Sequence, residues 1–438
     1  MFAAKGEVDK ARAAYQQGLV SGPDDSSLLA NMGALAVHEK DWVAAEDYCR
    51  RSLAAGPNAF AHSSLCAVHM ARKQRKEAYQ RAKQAVYLRP DIHEHWMRFA
   101  LAAQVNLDWE AAEAAYAKVM ALFPEDSKAH AEARTCRAII KMSLGNWKEG
   151  LREYESRLIW KHPLPSNVAP MWDGEPLAGK TVVFALEQGI GDQIMCLRWI
   201  RYLCAEGVKK IIMPCHPLIN QLVPMLEDKE RILAIGEIVP QYDWFIPAGS
   251  MPYVLYKTYP LIGAVSSPPY LRPPVVMRDE PRPTNLQVGL CWKGSPDHPN
   301  DLYRSMDLKN LQPILEVPGV DFHCLQCSKP EKAEALNAGM TAYNFKDRLD
   351  FQAEVTGDLD LVISVDTMSA HLAGAVGTPV WTLLPANPDF RWGMIAGDTP
   401  FYPSMRLFRQ EKMGEWRFPV EEAAILLSGI VKKMKGKE

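Results

Sequence analysis

No stretch of the 438 residues stays apolar for the length a membrane-spanning helix needs, and no secretory leader pattern is present. We therefore expect a cytoplasmic protein without a transmembrane segment. Charge of one sign is also lacking. Fifty lysines and arginines face 52 acidic residues, and a net charge of −2 gives no general pull toward nucleic acid or anionic lipid. Any polyanion site must be local. The nine cysteines are odd in number and scattered, which suits a reduced chain and not a disulfide scaffold. Disordered composition is absent too, with 48% hydrophobic and 23% charged residues. A mass of 49.1 kDa implies roughly two to three domains with real cores.

The first half contains a repeat. Pro23, Pro57, Pro90 and Pro124 follow at spacings of 34, 33 and 34, and Ala11, Ala45, Ala78 and Ala112 keep the same spacings. Between each alanine and its proline runs an apolar pattern of helical period, such as Ala45, Tyr48, Cys49 and Leu53, and the proline stops the helix. This resembles the tetratricopeptide repeat (TPR), with Gly33, Ala45 and Pro57 at its small, small and breaker positions. A fifth, lengthened unit runs through Leu144, Gly145, Trp147, Gly150 and Tyr154 and joins the array to the second half of the chain. Met1 falls near the middle of the template, as in a trimmed or incomplete start. Such an array either only buries its neighbours' faces or offers a concave surface to a peptide. Protein O-GlcNAc transferases carry an asparagine ladder in this groove. Here those positions read Asn31, Ser64 and Arg98, so their mode of peptide recognition is not expected.

Between Trp160 and Lys180 the chain turns rich in proline and glycine (Pro163, Pro165, Pro170, Gly174, Pro176, Gly179), which reads as a linker. After it the period changes. Thr181 to Leu186 is a strand ending in Gly189-Ile190-Gly191-Asp192, with a helix from Gln193 to Leu203. Further strands are expected at 210–213, 244–246, 287–292, 321–325, 359–365 and 379–384, several separated by helical patterns as a parallel sheet requires. The proline-dense stretch from Pro268 to Pro283 splits them into two groups. We expect two Rossmann-like subdomains facing each other, with ligand at the carboxyl ends of their strands. The chain then divides into a repeat domain at 1–160, a linker at 161–179, subdomains at 180–280 and 281–418, and a terminal helix at 419–438 that crosses back onto the first subdomain.

In LVISVDTMSAHLAGAVGTP, from Leu361, a buried strand leads through Asp366-Thr367 into a helix of small residues. The unpaired amides of that helix start suit phosphate oxygens, with a hydroxyl from Thr367 or Ser369 and a ring nitrogen from His371. Alternatively, Asp366 or Thr367 caps the helix and His371 is a satisfied core residue.

Four segments in order carry a wider resemblance: ALEQGIGDQIMCLRWIRYL from Ala185, VGLCWKGSPDHPNDLYRSMDL from Val288, FHCLQ from Phe322, and SVDTMSAHLAGAVGTPVWTLLP from Ser364. DFRW from Asp389 and YPSMRLFRQ from Tyr402 extend it. Over roughly residues 150 to 420 the chain resembles bacterial glycosyltransferases of the lipopolysaccharide heptosyltransferase type and, more closely, the TPR-linked glycosyltransferases related to them. The resemblance implies a TPR solenoid followed by an α/β GT-B fold. It also implies inverting, metal-independent sugar transfer from a nucleotide donor, without a cofactor. UDP is the commonest guess for the donor, with ADP, GDP and CMP sugars as alternatives. The acceptor is a protein held by the TPR groove, such as flagellin or a surface adhesin by analogy, or else a lipid-linked glycan.

By the same resemblance Asp192, closing the turn of Gly189 and Gly191, is the general base; it could otherwise cap the helix from Gln193. His298 is held in reserve, beside Asp297 and Asp301. The leaving diphosphate needs cations where no metal serves, which points to Arg304 with Ser305 and to Lys293. Gln326 is assigned to the base or ribose. Trp381, Phe390 and Trp392 stack on a base or pack in the core. Cys324 and Cys327 form a lone C-x-x-C, and with Cys204, Cys215 and Cys291 elsewhere no metal is expected. Two rival classes remain: a non-catalytic repeat adaptor with a degenerate nucleotide-sugar module, and a nicotinamide oxidoreductase, whose G-x-G-x-x-G turn is absent after the first strand.

Overall fold

The computed structural model describes residues 7–161, 170–235, 241–258, 269–274, 282–298, 300–394, 397 and 399–435. The linker prolines Pro163 and Pro165, and much of the proline-dense stretch from Pro268 to Pro283, lie outside the described residues. The chain forms two compact units, Met1–Lys141 with Glu153–Pro163, and Met142–Arg152 with Leu164–Glu438.

The first unit is a stack of helix pairs: α1 (Val8–Ser21), α2 (Ser26–His38), α3 (Trp42–Ala55), α4 (Ala59–Ala71), α5 (Arg75–Leu88), α6 (His93–Val105), α7 (Trp109–Leu122) and α8 (Lys128–Ser143). Every proline of the ladder lies two residues past a helix end. The small residues work by close approach. A Cβ on Gly33 would sit 2.4 Å from Cys49 Sγ on the paired helix, and Ala45, Ala78 and Ala112 have no exposed surface. How each pair turns is visible only in the structure. Lys40, Lys73 and Leu107 hold φ of 60°, 59° and 62° at the repeat spacing. The following amides of Asp41, Gln74 and Asp108 reach back to the carbonyls of Ala36, His69 and Ala103, closing each first helix in a left-handed cap. α8 has 16 residues where α2, α4 and α6 have 13.

His95 in α6 is 1% exposed, meets the Phe60 ring edge-on at 5.0 Å, and among the described residues has no hydrogen-bond partner at either ring nitrogen. Burial pushes its pKa from 6.5 down to about 4. The unfolded chain then takes up a proton below pH 6.5 while the folded chain does not until about 4. Stability is therefore full above that window and falls as pH drops through it. We expect His95→Leu to remove about 2 kcal/mol of this acid-induced loss, measured by urea denaturation of both proteins at pH 7.5 and 4.5. Parallel losses in the two proteins would contradict it.

The second unit holds two parallel sheets, consistent with a GT-B-like pair of subdomains. The first comprises β1 (Thr181–Ala185), β2 (Lys210–Pro214), β3 (Ile232–Ile235) and β4 (Trp244–Pro247), in the order β3-β2-β1-β4. The second comprises β5 (Leu286–Cys291), β6 (Val320–Cys324), β7 (Thr341–Ala342), β8 (Leu361–Val365), β9 (Val380–Leu384) and β10 (Met405–Arg409), in the order β10-β9-β8-β5-β6-β7. All pairings are parallel. β5, β8 and β9 are buried at every residue, which is why they read as unbroken apolar runs. The edge strands β3, β7 and β10 are additions to the strands expected from sequence. The stretch expected as one helix from Gln193 is two, Ile190–Cys196 and Arg198–Ala205.

On one face of the second sheet, Leu286, Val288, Leu290, Leu361, Ile363, Val365 and Trp381 share a core with Val420, Ala423, Leu427 and Val431 of the Arg417–Lys435 helix. That helix therefore packs on the six-stranded sheet, and the expected crossing onto the first sheet is corrected. The Met368–Val376 helix covers the opposite face. There Gly191 closes against it, since a Cβ at Gly191 would lie 2.8 Å from His371 Cδ2 and 3.4 Å from Met368 Cα.

Candidate functional site

In the six-stranded sheet the chain starts at β5, builds outward through β6 and β7, then returns to add β8, β9 and β10 on the other side. The connections leaving β5 and β8 thus part in opposite directions and open a crevice at their carboxyl ends, where such sheets bind ligands. Two expected site segments meet at this point, Trp292–Gly294 after β5 and Asp366–Thr367 after β8.

Arg304 joins them. Its side chain is 10% exposed, its Nη1 donates to the carbonyl of Asp366 at 2.9 Å and its Nε faces Asp301 Oδ1 at 3.3 Å. Among the described residues Nη2 makes no hydrogen bond. The guanidinium lies flat on Gly294, where a Cβ would come within 2.6–2.9 Å of Nη2, Cζ and Nε. Ser305 Oγ donates to Asp301 at 2.7 Å and accepts from the Gly294 amide at 2.9 Å. Ser305 therefore braces the cradle. Beside it, the Met368–Val376 helix opens at Thr367 in extended conformation with no side-chain cap. Capping by Thr367 or Asp366, one of the two sequence-based expectations, does not occur, and the positive end of that helix dipole is left open.

Asp192 arrives from the first sheet. It lies in the third position of the Ile190–Cys196 helix, not ahead of a later one, and its Oδ2 accepts the amide of Gly189 at 3.1 Å. Gln188 just before holds φ of 66°, a strained backbone of the kind found at working sites. The other oxygen, Oδ1, pairs with Arg391 Nη2 at 2.6 Å. Burial raises the Asp192 pKa, and the Arg391 charge opposes that rise. Arg391 also pairs with Asp389 at 2.5 Å and lies over the Phe390 ring at 4.4 Å. The Asp366 carboxyl is pushed up to about 6 by burial and then by Asp389, against the pull of Arg304. Four carboxylates, Asp192, Asp301, Asp366 and Asp389, therefore converge with Arg304 and Arg391. Nothing in the sequence assigns a role to Arg391 or Asp389. The DFRW run is the only signal that marks them.

Other expected residues are placed differently. Lys293 Nζ pairs with Glu331 at 3.1 Å, which raises its pKa, so its charge is already matched. Gln326 is 7% exposed, and its Oε1 accepts from the amides of Trp292 and Lys293 at 2.8 Å each and from Cys291 Sγ at 3.2 Å. It shapes the turn after β5, and its oxygen is not free for a base or ribose. Ser369 is buried and accepts from Gln352 Nε2 at 3.3 Å. His298 Nδ1 accepts the amide of Asn300 at 3.2 Å, so the neutral ring carries its proton on Nε2 and cannot accept one there. Burial, then Arg304, lowers its pKa. Trp381 packs on Phe408, Phe390 lies beneath Arg391, and Trp392 stands 5.0 Å from His371, all three buried. Among the described residues, no group of three or more His, Cys, Asp or Glu could hold a metal ion, and no helix is long and apolar enough to cross a membrane.

No protein-family model matches the chain. Protein FlbA of Caulobacter vibrioides is 27% identical over 370 residues, covering 76% of this chain and 61% of that protein. The chain thus spans about three-fifths of the length of the curated relative it matches. Among solved structures, that of MamA is 17% identical, covering 36% of this chain and 90% of that one, with a TM-score of 0.31. That of YrrB, a TPR protein with an unusual peptide-binding site, is 20% identical over 36% of this chain and 79% of that one, with a TM-score of 0.30. A thermophilic TPR protein of Thermus thermophilus is 20% identical over 37% and 87%, with a TM-score of 0.32.

Proposed function

We propose that the second unit is an inverting glycosyltransferase acting without a metal, with two subdomains facing each other across the crevice, and that the repeat unit presents a protein acceptor. Arg304, buried at the β5–β8 crevice and bonded to the carbonyl of Asp366 beside an uncapped helix start, is the observation that carries this reading. A guanidinium and a row of helix amides together favour a diphosphate. In the proposed step Asp192 takes the proton of the acceptor hydroxyl as its oxygen attacks the anomeric carbon. The bond from that carbon to the diphosphate oxygen breaks, and its electron pair leaves with the diphosphate toward Arg304. Arg391 holds Asp192 ionised and aimed.

Both oxygens of Asp192 are engaged in the fold, which favours the second reading, a module that binds a nucleotide sugar without turning it over. A thermal-shift panel of UDP, ADP, GDP and CMP tests the shared premise. One nucleotide at about 100 times its Kd should raise Tm by about 5 °C, and no shift with any of them at millimolar concentration would remove both readings. Release of free nucleotide from the matching sugar donor then separates enzyme from adaptor.

A further inference from the structure

We propose that Tyr402 and Tyr270 fix the tautomer of His371, so that its Nε2 is a bare acceptor for a hydroxyl group of the bound ligand. The ligand rests on the transferase reading, whereas the tautomer does not.

The proposed tautomer rests on proton counting along a buried chain of polar contacts. The hydroxyl of Tyr270 lies 3.1 Å from the carbonyl of Ile194. A carbonyl only accepts, so the single proton of Tyr270 goes there. The hydroxyl of Tyr402 stands 3.4 Å from that of Tyr270. With the Tyr270 proton spent, Tyr402 is the donor in this contact. In this arrangement its own proton is committed, and its oxygen accepts from Nδ1 of His371 at 3.0 Å. The chain runs one way, from His371 Nδ1–H through Tyr402 and Tyr270 to the Ile194 carbonyl. A neutral imidazole has one proton, so Nε2 keeps its lone pair.

The surroundings hold this arrangement. Tyr402, Tyr270 and His371 are 0%, 4% and 4% exposed. The Arg198 guanidinium lies 5.3 Å from the Tyr270 ring centroid and 4.7 Å from that of Tyr402, pinned by bonds to the carbonyls of Met195 at 2.8 Å and Phe401 at 2.7 Å. Burial, with the charges of Arg391, Arg198 and Arg304, holds the His371 pKa well below its ordinary value, so the ring stays neutral. Among the described residues Nε2 makes no hydrogen bond. Its ring neighbour Cδ2 faces Gly191, next to Asp192.

A lone pair repels a phosphate oxygen and attracts an O–H, so the expectation that His371 contributes a ring nitrogen to phosphate is replaced. In the crevice, Arg304 suits the diphosphate and His371 suits a sugar hydroxyl. Tyr402 and Tyr270 act as positioning residues through the ring.

Long-range 1H–15N spectra of the full chain labelled at histidine test the tautomer. His371, assigned by its loss in His371→Asn, should show a protonated Nδ1 and an unprotonated Nε2. Tyr402→Phe should abolish that preference. A protonated Nε2 in the unaltered protein would overturn the proposal. For the ligand, UDP and UDP-glucose, and the ADP and GDP pairs, are titrated into both proteins. His371→Asn keeps an N–H toward Tyr402 but lacks Nε2. It should weaken the sugar conjugate about tenfold and leave the free diphosphate unchanged. Equal loss of both, or no loss of either, would overturn the hydroxyl assignment. Binding of no nucleotide at all would remove the transferase reading, and the nitrogen spectra would still decide the tautomer.

Discussion

Arg304→Ala is expected to weaken nucleoside diphosphate binding about 100-fold, the loss of roughly two charge-assisted hydrogen bonds. Preorganisation sets the size. The side chain is already buried and held by Asp301 and the Asp366 carbonyl, so little entropy is spent in fixing it when a ligand arrives. Arg304→Lys keeps the charge but not the planar fork, and should recover only part of the affinity. Gly294→Ala is an independent check. The added methyl would press on three guanidinium atoms at 2.6–2.9 Å, so it should weaken binding while the arginine is still present. Calorimetric titration of the nucleotide chosen by the thermal-shift panel measures all three. Affinity in Arg304→Ala within about threefold of the unaltered protein, well short of the loss expected for even one charged hydrogen bond, would place the diphosphate elsewhere.

The second large effect is on turnover. Asp192→Asn should lower kcat about 1000-fold, within the span of a lost general base, with donor affinity nearly unchanged. The amide can still accept the Gly189 N–H but cannot take a proton. A pH profile adds a readout that a structural role would not move. The base works only when ionised, so kcat/KM should rise with pH through the folded pKa of Asp192, which burial lifts above its ordinary 3.8. Arg391 opposes that lift, so Arg391→Gln should move the rising limb to higher pH. Turnover retained in Asp192→Asn would transfer the base to another group, with Asp366 next in line.

Much of the architecture is legible because it is periodic. Prolines and alanines recurring every 33 or 34 residues announce the helix pairs, and continuous apolar runs such as LVISV announce buried parallel strands. β7, of two residues, and β10, whose apolar run is broken by Arg406, lack such a run, and the four residues of β3 are too few for periodicity to assign. The lengthened α8 is legible from the spacing of its flanking motifs. The positive-φ turns at Lys40, Lys73 and Leu107 are not, because no glycine marks them.

Within the site, residue types are legible and partners are not. The chain by itself announces a cation after β5, a small-residue helix after β8 and a carboxylate after a glycine turn, since each is a local pattern with a local physical cause. Tertiary structure alone decides that Arg304 reaches the Asp366 carbonyl, that Asp192 meets Arg391, and that Lys293 and Gln326 are already engaged by Glu331 and by backbone amides. A side chain's free valences depend on what the fold brings within about 3 Å of it, and residues far apart in the chain leave no mark of that in a single sequence.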